Sequence, residues 1–121
     1  MIKEKGAAIS HCPDSNLFLG SGFYKIEDAK NLGVMTSIGS DIGGGTTVNL
    51  LKILAECYKM HKMNKYTLSP VEAFYLITLG GAKALHLDDH LGKIKEGYYA
   101  DLVVLDPKGS EYLKAKDMIT I

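Results

Sequence analysis

Asp41 sits between Gly-Ser and Ile-Gly-Gly-Gly-Thr, with a strand-like run from residue 34 leading up to it and a helical pattern after residue 47. A carboxylate at the mouth of a strand-to-helix turn, beside glycines that admit close approach, can ligate a cation or relay a proton. The same position also suits a carboxylate that caps the following helix, a role worth about 1 kcal/mol. The glycine run at 43–45 could instead cradle a phosphate at a helix N-terminus, but it lacks the lysine of a GxxxxGK[ST] loop.

A second cluster, His-Cys-Pro-Asp-Ser-Asn at residues 11–16, puts an imidazole, a thiol, a carboxylate, a hydroxyl and an amide directly after an apolar run. It reads either as a pocket edge or as a turn whose side chains bond the backbone. A Cys–His nucleophile pair is disfavoured, because neighbours on one strand point to opposite faces. Cys57 reads as a helix packing residue. His61, His86 and His90 fall on surface-like helix ends or turns without HxH or HExxH spacing, and are not expected to be metal ligands.

These groups need elements to position them. Residues 7–11 read as a buried strand stopped by Pro13, and 14–22 as a structured loop rich in Asp, Ser, Asn and Gly. Residues 26–32 form a short helix closed by Gly33, and 34–39 the next strand, so that strand, loop, helix and strand make a parallel βαβ unit. From 47 to 63, Lys52, Glu56, Lys59 and Lys62 mark one helical face and Val48, Leu51, Leu54, Ala55 and Tyr58 another, expected to cover a sheet. Ser69-Pro-Val-Glu72 is a capping box with proline at the first position, opening a helix to about residue 79 that Gly80-Gly81 interrupts, with one more turn at 82–85. Beyond residue 88, Gly92, Gly97 and the run 100–106 stopped by Pro107 read as turns and a strand of a separate β layer.

The 121 residues suffice for one domain, and 46% hydrophobic content with three prolines excludes a mostly disordered chain. Fourteen basic residues balance fourteen acidic ones, which favours neither nucleic acid nor an anionic membrane as partner. Cys12 and Cys57 lack CxxC or Cys/His spacing and no apolar leader is apparent, so free thiols in a reducing cytoplasm are expected.

Four segments, in order, carry a family resemblance: Ser-His-Cys-Pro-Asp-Ser-Asn-Leu-Phe-Leu-Gly-Ser-Gly-Phe at 10–23, Gly-Ser-Asp-Ile-Gly-Gly-Gly-Thr at 39–46, Thr-Leu-Gly-Gly-Ala-Lys-Ala-Leu at 78–85, and Leu-Gly-Lys-Ile-Lys-Glu-Gly-Tyr-Tyr-Ala-Asp-Leu-Val-Val-Leu-Asp at 91–106. Together they resemble the C-terminal part of the guanine deaminases, in the amidohydrolase superfamily. The resemblance implies an α/β fold: residues 1–90 as the last two strands and helices of a metal-dependent-hydrolase (β/α)8 TIM barrel, and 91–121 as strands of a small composite β-sandwich. Residues 7–11 and 34–40 would be the seventh and eighth strands. Asp41 would ligate Zn2+ and act as the catalytic acid/base in the hydrolysis of guanine to xanthine and ammonia, a step of purine catabolism in the cytoplasm. His11, Ser15, Asn16 and Gly43 would shape the substrate pocket, and Asp101 would be structural.

The family's other metal ligands, a His-x-His pair and two single histidines, have no counterpart here, nor does its proton-shuttling glutamate. The resemblance therefore implies the last third of a larger enzyme, inactive when isolated, whose bare apolar faces and sheet edges drive homo-oligomerisation or association with the N-terminal portion. The alternatives are another aminohydrolase or chlorohydrolase of the superfamily, or a non-catalytic remnant or assembly module.

Overall fold

The computed structural model describes residues 1–105. After a single 3-10 turn at Lys3–Lys5, the elements are β1 (Ala8–His11), α1 (Pro13–Leu19), α2 (Ile26–Asn31), β2 (Met35–Ile38), α3 (Leu50–Met63), α4 (Pro70–Ile77) and α5 (Leu79–Ala84). β1 and β2 pair in parallel, from Ala8 opposite Met35 to His11 opposite Ile38. The Gly39 N–H then donates to the His11 carbonyl at 2.9 Å and carries the ladder one step further. This is the parallel crossover expected from the sequence, and it brings the exits of both strands to the same edge.

Residues 14–22, expected to be a loop, begin instead with α1. Pro13 occupies the first helical position, where its missing N–H is not needed, and Gly20 ends the helix in the left-handed conformation with φ 68°. Asp, Ser and Asn favour turns in general, but here they sit in the first turn, where short polar side chains are well tolerated.

α3 starts later than residue 47 because Asn49 is the better cap: its Oδ1 accepts from the Leu51 and Lys52 N–H groups at 3.0 and 3.3 Å. Its buried face also differs from the expected one. Ile53, Leu54, Cys57, Met60 and His61 face inward, while Val48, Leu51, Ala55 and Tyr58 remain exposed. The inward stripe follows i, i+4, i+7 from Ile53, which places His61 inside rather than on the surface. The charged residues left two apolar stripes available, and contact with α1 and α4 selected one.

The core joins Ile26, Ile38, Ile53, Leu54, Cys57, Leu68 and Leu76, and so connects α2, β2, α3 and α4. Each such aliphatic side chain stabilises the fold by about 1.5 to 3 kcal/mol when removed from water. At the surface, Glu72 accepts from Lys30 Nζ at 2.9 Å and from Tyr66 Oη at 2.8 Å, linking α2 to the start of α4. Ser69 caps α4 as expected, taking the Glu72 N–H at 3.2 Å.

Gly80 and Gly81 do not interrupt the chain; they lie inside α5. The break falls at Thr78, whose φ −121°, ψ −103° separates α4 from α5 and whose hydroxyl donates to the Phe74 carbonyl at 2.7 Å. A Cβ at Gly80 would meet the Tyr75 carbonyl oxygen at 2.8 Å and the Tyr75 ring at 3.0 Å, so the glycine permits a close helix approach. Residues 91–105 contain no strand, and Leu102, Val103, Val104 and Leu105 are exposed. A strand there requires a neighbouring strand to pair with, and the described sheet holds only β1 and β2. Residues 106–121 of the expected β layer lie outside the described residues.

The two glycines make a paired prediction. G81A should stabilise the chain by up to about 1 kcal/mol, since its Cβ meets only the Leu76 carbonyl at 3.8 Å and alanine is the better helix former. G80A should destabilise it by about 1 to 3 kcal/mol through overpacking against Tyr75. Urea midpoints of the two variants should move in opposite directions.

Candidate functional site

Asp41 follows β2 by three residues and is exposed at the strand's exit. Its backbone is left-handed, φ 47°, a conformation that Asp tolerates better than most residues. Its carbonyl accepts from the N–H groups of Gly44 at 2.9 Å and Gly45 at 2.6 Å, closing a tight turn. α3 is capped by Asn49, so Asp41 is not its helix cap. The carboxylate is free for another role.

Ser15, in the first turn of α1, donates its hydroxyl to Asp41 Oδ2 at 2.6 Å. This bond fixes one carboxylate oxygen; Oδ1 has no protein partner among the described residues. Asp14 beside it grips the same loop further on. Its carboxylate accepts both the backbone N–H and, at 3.0 Å, the hydroxyl of Thr46. The start of α1 therefore holds the turn at both ends, with Ser15 on Asp41 and Asp14 on Thr46.

The glycines serve this closeness rather than a phosphate cradle. A Cβ at Gly44 would lie 2.9 Å from both Asp41 Oδ2 and Ser15 Oγ, and one at Gly45 would collide with the Ser40 carbonyl oxygen. Gly43, with φ 110° and open space around it, supplies the positive φ of the turn itself. Asp14 was missed in the sequence. The signal for it was Pro13 at a helix start, which puts Asp14 and Ser15 on a first turn facing whatever follows the partner strand.

Of the expected pocket residues, Ser15 and Gly43 belong to this group, whereas Asn16 contributes its carbonyl to the end of α1, accepting from the Ser21 N–H at 3.0 Å. His11 is placed elsewhere. It is only 2% exposed, with its ring 4.8 Å from Tyr24 and 5.6 Å from His61. The empty side of Gly39 faces Ser10 Oγ and Cys12 Sγ, so Ser10 and Cys12 line the opposite face of β1 from His11.

Among the described residues, neither ring nitrogen of His11 has a hydrogen-bond partner. An unmet buried polar group costs about 1 to 3 kcal/mol. Burial, with a smaller contribution from His61, lowers the His11 pKa from 6.5 to about 4. Burial likewise pushes the Cys57 thiol up to about 12, making it an inert core group by itself.

The amidohydrolase family model matches residues 1–120, and the chain belongs to the amidohydrolase family. It is 48% identical over 106 residues to the guanine deaminase of Escherichia coli (strain K12), a match that covers 88% of this chain and 24% of that protein. The solved E. coli guanine deaminase superposes with a TM-score of 0.86, covering 93% of this chain and 26% of that chain at 46% identity. An adenosine deaminase from Xanthomonas campestris with bound zinc matches at 28% identity and TM-score 0.82, over 98% of this chain and 27% of that one. A guanine deaminase from C. acetobutylicum with guanine bound in its active site matches at 36% and 0.70, over 80% and 24%. The chain thus spans about a quarter of the length of the relatives it matches.

Two outcomes test this geometry. Because folding lowers the His11 pKa, the unfolded chain binds the extra proton between about pH 6.5 and pH 4, and His11's contribution is complete above 6.5 and lost through that window. Urea unfolding should show a loss of up to about 3 kcal/mol between pH 7 and pH 4, and the His11→Phe chain should show a flatter profile over that window. D14A should release the turn, seen as about tenfold or faster hydrogen exchange at the Thr46 amide, while the core amides of α3 keep their protection.

Proposed function

We propose that this chain supplies the Asp41 side of a zinc-dependent aminohydrolase that converts guanine and water to xanthine and ammonia. The observation that carries the proposal is the exposed Asp41 carboxylate at a strand exit, with one oxygen fixed by Ser15 and the other open. A carboxylate so prepared fits a hard or borderline divalent cation, and the likeness to guanine deaminases, one with guanine and an adenosine deaminase with zinc, supports this choice of metal and substrate.

One carboxylate does not make a zinc site, which takes three protein ligands plus water in catalytic centres. The remaining ligands are assigned to protein corresponding to the other three-quarters of the relatives' length. When bound, zinc supplies Lewis-acid activation of water. The Asp41 carboxylate takes a proton from the water that attacks the ring carbon and delivers it towards the departing nitrogen. Ser15 holds the carboxylate in orientation, Gly44 leaves room for both, and Gly43 gives the turn its course. Asn16 is assigned to the pocket edge through its place on α1, whereas the position of His11 against Tyr24 and His61 favours a packing role over the pocket role expected for it.

The reading extends to architecture. Residues 1–90 are assigned to a (β/α)8 barrel as its last two strand–helix units, and 91–121 to a small β-sandwich; parallel β1–β2 with helical crossovers supports the first assignment. Phe18 at 68% and Val104 at 93% exposure call for a covering partner, another copy or the remaining protein of the assembly. Among the described residues no helix is long and apolar enough to cross a membrane. A cytoplasmic location fits the expected free thiols. The second reading, deamination of an aminated purine other than guanine, is favoured by the adenosine deaminase match and by 36% identity over 119 residues to a 5-methylthioadenosine/S-adenosylhomocysteine deaminase of Pyrococcus horikoshii.

A chimaera in which this chain replaces the matching quarter of the E. coli guanine deaminase tests the proposal. It should turn over guanine, and Asp41→Asn in it should lower kcat by at least about 100-fold. Near-normal turnover of the D41N chimaera would remove Asp41 from the chemistry, and preference for adenosine over guanine would move the substrate assignment to the second reading.

A further inference from the structure

His11, Cys57 and His61 come from two elements and meet in the interior, each fully or nearly fully buried. One nitrogen of each ring and the thiol sulfur all lie within 4.8 Å of one another. Cys57 and His61 are four residues apart on α3, so they project from the same face. Their Sγ and Nδ1 atoms are 3.6 Å apart. A tetrahedral ion with bonds of about 2.3 Å to sulfur and 2.0 to 2.1 Å to nitrogen holds such a pair about 3.5 Å apart, so this edge of a coordination shell already exists.

The third corner is His11, whose two nitrogens are buried with no partner among the described residues. A bound ion or water is among the few physical accounts of buried polar groups left this way, and the Cys57–His61 pair beside His11 favours the ion. We propose that His11, Cys57 and His61 form a buried binding site for a thiophilic divalent cation of the Zn2+ type, separate from Asp41, whose described side-chain partner is Ser15. Binding replaces the Cys57 S–H bond by a metal–sulfur bond and releases one proton per ion.

His61 must change partners to take part. Its Nδ1 lies 2.8 Å from the Cys57 carbonyl and its Nε2 accepts the Ile26 N–H at 3.4 Å. Ligation through Nδ1 gives up the first bond, but that carbonyl, inside α3, also accepts the helical main-chain N–H four residues on. It turns Nε2 into a donor facing another donor. A cavity of about 100 Å3 lined by Ile26, His61, Asn64 and Tyr66 adjoins the two, with room for a water that accepts from both. His11 needs no rearrangement of hydrogen bonds at all.

The test is Co2+ titration of the 121-residue chain, stripped of metal and kept reduced, in a C12S background that leaves Cys57 as the one thiol. A thiolate-to-cobalt charge-transfer band saturating at one equivalent, displaced by Zn2+, is expected. It should vanish in the C57A variant, weaken about tenfold or more in affinity in H11F, and persist in D41N. No band in the folded C12S chain, or a band lost in D41N and retained in H11F, would overturn the proposal. If C57A does not fold, the C12S, H11F and D41N titrations decide alone. Because D41N separates the two centres, loss of this site leaves the Asp41 assignment standing, and the reverse.

Discussion

Ser15 and Asp41 are 26 residues apart in the chain and 2.6 Å apart in space. They meet because β1 and β2 run parallel and in register, so that the segments leaving both strands emerge on one edge of the sheet. In a parallel pair the connection has to travel back along the sheet before the second strand begins, and here α2 does so, packing on β2. Ile26 of α2 and Ile38 of β2 share one hydrophobic cluster with Ile53, Leu54 and Cys57 of α3. Without that shared cluster the register has little to hold it, since two four-residue strands alone are marginal in water.

On that edge, short polar side chains and missing Cβ atoms work together. Asp14 and Ser15 reach across from α1 to Thr46 and Asp41, and they can do so only because Gly44 and Gly45 leave the space that any larger residue would fill. The left-handed backbone of Asp41 is held by the amides of those same two glycines. Aspartate there keeps a left-handed φ because its surroundings over-determine it. The opposite side of β1 has a different character. His11 faces inward, against Tyr24 and the His61 ring.

The unfinished parts of the surface follow from the same arrangement. Among the described residues the two-stranded sheet has two unpaired edges, and the apolar residues from 102 to 105 lie in the open. Exposed apolar runs and open edges are normally covered by further protein. The relatives are about four times as long as the part of them that this chain matches.

Much of the organisation was legible from local signals. Both strands, the short helix ended by Gly33, the Ser69-Pro70 start of α4 and the position of Asp41 just past β2 each rest on a few adjacent residues whose steric and capping preferences act at short range. The family, too, could be read from four short motifs in order, and the match over residues 1–120 agrees. What residues 14–22 would do was not legible in this way, because Asp, Ser and Asn serve a loop and a first helical turn equally well. The inward face of α3 was decided by α1 and α4, which chose Ile53, Cys57 and His61 over Leu51 and Tyr58. Nor could Gly80-Gly81 be told from a break without knowing that Tyr75 lies where a Cβ would go. By itself, then, the sequence determined which residues start, stop and punctuate the elements and which carboxylate stands at a strand exit. Only the tertiary structure decided that Asp14 and Ser15 grip the glycine turn and that His11, Cys57 and His61 share one interior, because those contacts join residues far apart in the chain and depend on packing that no local preference encodes.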